Sequence, residues 1–227
     1  MPSWNIHIAH VQRLLEREDA SDMGIRDVNA FLVGNFVPDI YVGFMVPDAS
    51  RHIDYKLTHL SARESIPLPD YQMFWDFYID SQRRPVTDLT LGAWAHLVAD
   101  HVYNQRVREL ARKRGLEPGE KLRVAKQGDF AYFGSTLPLE LMPHVNDALI
   151  EQCRHFRPYS IGPGDVRATV EVARGIVEQA QGTRPESGHV YELLDEDFFH
   201  AAFERTEEIV RAGLERFATG SASSRRG

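Results

Sequence analysis

The residues best suited to chemistry in this sequence are His96 and Asp100, within the stretch Leu91–Asn104 (LGAWAHLVADHVYN). The apolar composition of the stretch predicts a helix, and residues four apart lie on the same face of a helix. An imidazole and a carboxylate would then project side by side from an apolar wall. Such nitrogen and oxygen donors suit a divalent ion such as Zn²⁺, Mn²⁺ or Fe²⁺.

A second pair with the same spacing, His200 and Glu204, occurs in FFHAAFERTEEIV, which is predicted to form another amphipathic helix. With 33 acidic residues among 227, ten histidines are expected to form roughly one or two such pairs by chance. Spacing alone therefore does not identify a metal site, and further donors are required. The sequence offers His7 and His10 near its start, Asp39 in GNFVPDI, and His52 and His59 in RHIDYKLTHL.

Composition limits the class of partner and of metal site. A net charge of −7 and a pI near 5.8 leave no basic surface for nucleic acid. The single cysteine, Cys153, excludes an intramolecular disulfide and a thiolate-rich zinc site, so a metal would need His, Asp and Glu ligands. No apolar run is long enough to cross a bilayer and no signal peptide is recognisable, so we expect a soluble, cytoplasmic protein.

Hydrophobic periodicity predicts an all-α fold in a single domain, 1–218, followed by a disordered tail, 219–227. Two long irregular segments are expected, at 36–69 and 116–138, because neither has a sustained period. A loop as long as the first is usually functional. The predicted helices lie at about 6–15, 26–35, 71–81 (capped by Asp70), 88–115 (capped by Thr87 or Asp88), 139–156, 162–182 and 195–218.

Five blocks of this sequence resemble the zinc-dependent phospholipase C family, whose fold extends to S1/P1-type nucleases. In order, the blocks are the opening MPSWNIH, the segment GNFVPDI, the loop THLS, the helix LGAWAHLVAD and the helix HAAFE. The resemblance spans Pro2 to Glu204 and implies a helical bundle of the phospholipase C and P1 nuclease type. Residues 104–191 would be a subfamily-specific insertion.

Carried over residue by residue, the resemblance implies a set of metal ligands. It also implies two or three zinc ions that share bridging oxygens and generate the attacking hydroxide, with Asp39 as the proton acceptor. Mn²⁺ and Fe²⁺ stay open, as does a ligand role for His10 or His144. THLS resembles the family's ligand loop, which favours His59 over His52. The implied ligands are His7, Asp39, His59, His96, Asp100, His200 and Glu204.

The implied function is hydrolysis of a phosphoester by a metal-bound hydroxide, with a small phosphoester or a phospholipid as substrate. Two departures from the family bear on the number of metals. The family's metal-binding tryptophan is N-terminal, whereas Trp4 is internal, and the histidine that family members carry soon after the HxxxD pair is missing here. The alternative is therefore a non-catalytic metal-binding or regulatory module with a partial metal set. The sequence does not determine the oligomeric state.

Overall fold

The fold is helical throughout the residues that the structure describes. The computed structural model describes residues 2–43, 45–81, 85–182 and 190–224, and these ranges contain no β-strand, in agreement with the predicted all-α class. A 3-10 turn covers Val37–Asp39 and a π-helical turn covers Asp76–Asp80. The α-helices are α1 (Trp4–Arg17), α2 (Val28–Gly34), α3 (Tyr55–Thr58), α4 (Tyr71–Trp75), α5 (Asp88–Arg114), α6 (Glu120–Thr136), α7 (Asp147–Arg154), α8 (Pro163–Gly182) and α9 (Glu196–Ser224).

Helix α5 forms the centre of the molecule. Between Leu89 and Asp100 every side chain is buried, which is typical of a helix surrounded by other helices rather than one with a solvent face. Helices α2, α4, α7 and α9 all contact it. The Thr87 side chain accepts a hydrogen bond from the Thr90 amide at the start of α5, and Gly115 ends the helix in the left-handed conformation.

The structure differs from the predicted elements in the second half of the chain. The segment 116–138, expected to be irregular, contains helix α6, because Pro118 and Pro138 flank the helix and do not interrupt it. Conversely, only Asp147–Arg154 is helical within the predicted helix 139–156. Helix α9 continues to Ser224, through most of the tail that was expected to be disordered, and residues 225–227 lie outside the described residues.

The segment before α7 is not helical, and two side-chain amides bind its backbone. The Gln12 side chain accepts from the Glu140 amide and donates to the Pro138 carbonyl. The Asn29 side chain accepts from the His144 amide and donates to the carbonyl of the same residue. These bonds satisfy backbone groups that a helix would otherwise pair internally.

The chain boundaries proposed from sequence stay predictions. Asn104, the start of the expected insertion, lies in the middle of α5, and both α6 and α8 contact α1. None of the described helices is long and apolar enough to cross a membrane.

Asp165 in the first turn of α8 ties the irregular segment before α3 to the rest of the fold. Its carboxylate accepts from the Tyr41 hydroxyl at 2.8 Å, and from the amide and hydroxyl of Ser50 at 2.9 and 2.6 Å. Burial opposes ionisation, but the bonds from Ser50 and Tyr41 outweigh it and hold the pKa of Asp165 below its ordinary value. The ionised carboxylate therefore stabilises the folded state.

We expect Asp165→Ala to lower the free energy of unfolding by about 2 kcal/mol at neutral pH, since it leaves buried donors without acceptors. The loss should shrink as the pH falls below about 4, because a carboxyl whose folded pKa is depressed stabilises only when ionised. Urea denaturation at several pH values measures this. Glu171→Ala, an exposed site on the same helix, is the control, and an equal loss in both variants would contradict the role of Asp165.

Candidate metal centre

Five of the candidate ligands predicted from the sequence lie close together in the interior. They come from four elements: α1, the 3-10 turn after α2, the residue that ends α3, and the middle of α5. All are buried, with exposed fractions between 0 and 4 %. The cluster consists of His7, Asp39, His59, His96 and Asp100.

The donor atoms face one another at short distances. The Nε2 atoms of His59 and His96 are 3.1 Å apart. Asp39 Oδ1 lies 3.6 Å from His59 Nε2 and 3.9 Å from His96 Nε2. Asp100 Oδ2 lies at the same 3.6 and 3.9 Å from these two nitrogens. Asp39 Oδ1 and Asp100 Oδ2 thus each lie within 3.9 Å of both imidazole nitrogens.

The backbone of α2 sets the tautomer of His96. Its Nδ1 lies 2.7 Å from the carbonyl oxygen of Asn35, which can only accept a hydrogen bond. Nδ1 therefore carries the proton, and Nε2 presents a lone pair to the cluster. This is the arrangement in which metal-binding histidines are commonly held.

A hydroxyl contacts the other ring nitrogen of His59. Thr58 Oγ1 lies 2.7 Å from His59 Nδ1 and 3.2 Å from the Tyr55 carbonyl oxygen. The hydroxyl has one proton, so it either donates to the carbonyl and accepts from Nδ1, or donates to Nδ1. In the first case His59 Nε2 presents a lone pair to the cluster, as metal binding requires; in the second, Nε2 donates to His96 Nε2 at 3.1 Å.

Two carboxylate oxygens of the cluster have no hydrogen-bond donor in the described part of the chain. Trp4 Nε1 donates to Asp39 Oδ2 at 3.0 Å, but no described residue donates to Asp39 Oδ1 or Asp100 Oδ1. Buried carboxylates and imidazole nitrogens in that situation are costly unless a cation is shared among them.

Burial and neighbouring charges shift the pKa values of the cluster residues in different directions. Burial lowers the pKa of His59 well below its ordinary value, and burial together with His96 lowers the pKa of His7. Burial raises the pKa of Asp39. Burial also opposes ionisation of Asp100, yet the facing imidazoles, His96 foremost, outweigh it and lower the pKa of Asp100. Neutral imidazoles and an ionised carboxylate are the forms that bind metals.

His7 extends the cluster to the other oxygen of Asp100. Its Nε2 lies 3.4 Å from Asp100 Oδ1, and its ring stacks on that of His96 at 4.1 Å between centroids. Neither ring nitrogen of His7 has a hydrogen-bond partner among the described residues. Asp100 therefore stands between the group formed with Asp39 and His59 and a smaller one formed with His7.

The spacing of the donors fits a divalent ion. Ligands about 2.0–2.2 Å from a tetrahedral zinc ion lie roughly 3.3–3.6 Å from one another. Within the trio Asp39, His59 and His96, the donor atoms are 3.1, 3.6 and 3.9 Å apart, close to those edges. The buried groups Asp39–His59–His96 and His7–His96–Asp100 could each hold a metal ion.

A close crossing of α2 and α5 brings Asn35 to His96. A Cβ on Gly34 would lie 2.3 Å from the Leu89 carbonyl, and one on Gly92 would lie 2.1 Å from the Phe31 carbonyl. Only glycine at both positions allows the backbones to approach this closely. His96 follows Gly92 by one turn, so the crossing places its Nδ1 against the end of α2.

The structure does not bring His200 and Glu204 to the cluster. They lie on the exposed side of α9, where Glu204 forms ion pairs with Arg13 and Arg17 of α1. The physical reason is the phase of the helix: Phe199 is fully buried, and a residue one position on points about 100° away from it.

The other histidines that were left open also lie apart from the cluster. His52 and His144 are exposed. His10 is buried but stacks on Phe203 at 3.8 Å and meets the Tyr103 hydroxyl at 3.3 Å. Between the two histidines of RHIDYKLTHL, the structure therefore brings only His59 into the cluster.

Sequence reasoning missed the residues that hold the cluster in place. Trp4 and Tyr55 each donate to one of its carboxylates. Tyr55 precedes His59 by four residues, the helical spacing that identified His96 and Asp100, so this signal was available. The Asn35 carbonyl had no such signal, because any residue carries one.

Comparison with known proteins gives no assignment. No family model matches the chain, and neither the characterised proteins nor the solved structures provide a significant match.

We expect Gly92→Ala to destabilise the fold by about 3 kcal/mol, at the upper end for overpacking, and to weaken metal binding by displacing the Asn35 carbonyl from His96. Thermal unfolding and metal titration measure the two effects. Gly175→Ala on α8 is the control: no atom lies within 4 Å of its added Cβ, so it should raise stability by roughly 0.5–1 kcal/mol. Normal stability of Gly92→Ala would contradict the close crossing.

Proposed function

We propose that this chain is a metal-dependent phosphoester hydrolase with a fold of the zinc-dependent phospholipase C type. The observation that carries the proposal is the convergence of three buried side chains, Asp39, His59 and His96, at distances that suit one divalent ion, beside a second such group formed by His7, His96 and Asp100. Zinc is the first candidate, because a mixed nitrogen and oxygen set without thiolates is common in its hydrolytic sites. Mn²⁺ and Fe²⁺ suit the same donors.

The donor set supports more than a single closed ion site. Asp39, His59 and His96 form one group that could hold an ion. His7 and the second oxygen of Asp100 provide further donors beside them. An excess of donors around a bridging carboxylate is typical of centres with more than one ion, where the ions lower the pKa of water and stabilise the oxygens of a phosphoryl displacement.

Within this proposal, Asp39 has the role of proton acceptor. Trp4 holds its Oδ2 at 3.0 Å, which directs Oδ1 toward His59 and His96. The Asn35 carbonyl contacts Nδ1 of His96 and the Thr58 hydroxyl contacts Nδ1 of His59, so both rings point Nε2 toward the cluster. The net charge of −7 favours a small phosphoester or a phospholipid headgroup over nucleic acid.

A second candidate function is a metal-binding or regulatory module without catalysis. The complete burial of His7, His59, His96 and Asp100 favours it, because a catalytic ion needs an open position for water and substrate. The location of His200 and Glu204 outside the cluster favours it too, since they would have completed a further ion site. Metal content and turnover separate the two candidates.

We expect the double replacement His96→Ala and Asp100→Ala to abolish stoichiometric zinc, measured on protein purified without added metal. His200→Ala with Glu204→Ala is the matched control, since it removes the same residue types at the same spacing from another helix, and it should keep the metal. Retention of zinc by the first variant would contradict the assignment. Near-UV circular dichroism checks that both variants are folded.

Removal of zinc should lower the melting temperature. An ion that binds only the folded state stabilises it by about 4 kcal/mol at a free concentration 1,000 times its Kd. For a chain of this length, that corresponds to roughly 8–16 °C. Calorimetry on chelated and zinc-reconstituted protein measures the shift. If the melting temperature is the same with and without zinc, the cluster is not a metal site in either candidate function.

The reconstituted protein should hydrolyse a chromogenic phosphodiester or phosphomonoester, and Asp39→Asn should remove most of this activity because it removes the proton acceptor. Released chromophore measures the rate. Stoichiometric zinc without turnover on any ester would contradict the hydrolase and favour the module.

A further inference from the structure

Tyr55 contacts the cluster and is itself partly exposed. The five candidate ligands are 0–4 % exposed, whereas Tyr55 is partly exposed and its two followers on α3, Lys56 and Leu57, face solvent. Its phenol is directed inward to the carboxylate of Asp100. Tyr55 therefore separates the cluster from the outside of the molecule at this position.

The hydroxyl of Tyr55 selects the orientation of Asp100. It donates to Asp100 Oδ2 at 3.0 Å, the oxygen that faces His59 and His96. The other oxygen faces His7. Rotation about the last bond of an aspartate is only weakly restricted, so a donor on one oxygen decides how the carboxylate is presented.

The ring and the carbonyl of Tyr55 hold His59. The two rings stack at 3.7 Å between centroids with an angle of 17° between their planes. The Tyr55 carbonyl oxygen lies 3.2 Å from the Thr58 hydroxyl oxygen, which in turn lies 2.7 Å from His59 Nδ1. The same carbonyl also accepts from the His59 amide at 2.9 Å.

The short helix α3 keeps these contacts in register. The Asp54 side chain caps it by accepting from the Lys56 amide, and the Ser61 amide closes it by donating to the Lys56 carbonyl at 3.0 Å. Leu60 adopts a left-handed conformation, φ 50°, to make this closure. Tyr55 and His59 therefore stay on the same face.

We propose that Tyr55 is a positioning residue of the metal centre, which fixes Asp100 and His59 in the geometry that binds the ion and covers the ion toward solvent. This inference rests on the proposed metal binding. It assigns a role to a residue that is not itself a candidate ligand, and it makes helix α3, where Tyr55 lies, part of the metal site. Partners of metal ligands typically change metal affinity by roughly 10–100-fold when they are replaced.

The test uses the full chain, freed of metal and titrated with cobalt(II), whose visible spectrum reports the coordination geometry. We expect Tyr55→Phe, which keeps the ring, to weaken cobalt binding about tenfold and to change the spectrum. The control is Tyr41→Phe, which removes a hydroxyl bond of 2.8 Å to a different carboxylate, Asp165. It should lower stability but leave cobalt affinity and spectrum unchanged.

A second variant, Tyr55→Leu, removes the stack on His59 as well. It should release cobalt to a chelator faster than Tyr55→Phe does, because the cover toward solvent is lost. Wild-type affinity and spectrum in both Tyr55 variants would overturn the positioning role. Failure of the wild-type chain to bind cobalt or zinc would instead contradict the proposed metal site, so the two failures are distinguishable.

Discussion

The crossing of α2 and α5 at Gly34 and Gly92 is the contact on which the rest of the centre depends. It lets two backbones approach until an added Cβ on either glycine would overlap a carbonyl. The end of α2 then lies beside His96, and its carbonyl fixes the tautomer of that ring. The 3-10 turn that follows α2 directly brings Asp39 to the same point. One helix contact thus positions both a candidate ligand, Asp39, and the carbonyl that orients another, His96.

The second constraint is electrostatic. Burying two carboxylates and imidazole nitrogens with few hydrogen-bond donors lowers the free energy of unfolding, so the cluster by itself does not stabilise the fold. Hydrogen bonds from the surrounding structure orient these carboxylates: Trp4 donates to Oδ2 of Asp39, and Tyr55 donates to Oδ2 of Asp100. Such an arrangement is understandable when a divalent cation is shared by the group, and it accounts for the metal-binding function that we propose.

The two pairs with the same spacing explain what the sequence could predict. His96 and Asp100 lie on a helix that is buried all round, so any pair on that stretch faces the interior. His200 and Glu204 lie on an amphipathic helix, where a shift of one position from Phe199 turns the pair to solvent. Hydrophobic periodicity predicted the helical class. It did not predict α6, because the prolines on either side of that helix indicated an irregular segment. The carbonyl of Asn35 had no sequence signal, because its role comes from a tertiary contact.

The distribution of the cluster along the chain has a consequence for biogenesis. His7 belongs to the first helix and His96 and Asp100 to the fifth, with Asp39 and His59 on segments between them. An unfolded chain can offer an ion only local pairs, so tight retention requires that α1, the turn after α2, α3 and α5 have all assembled. Bound metal would therefore mark a molecule whose folding is complete, and metal loss would report early damage to any one of these four segments.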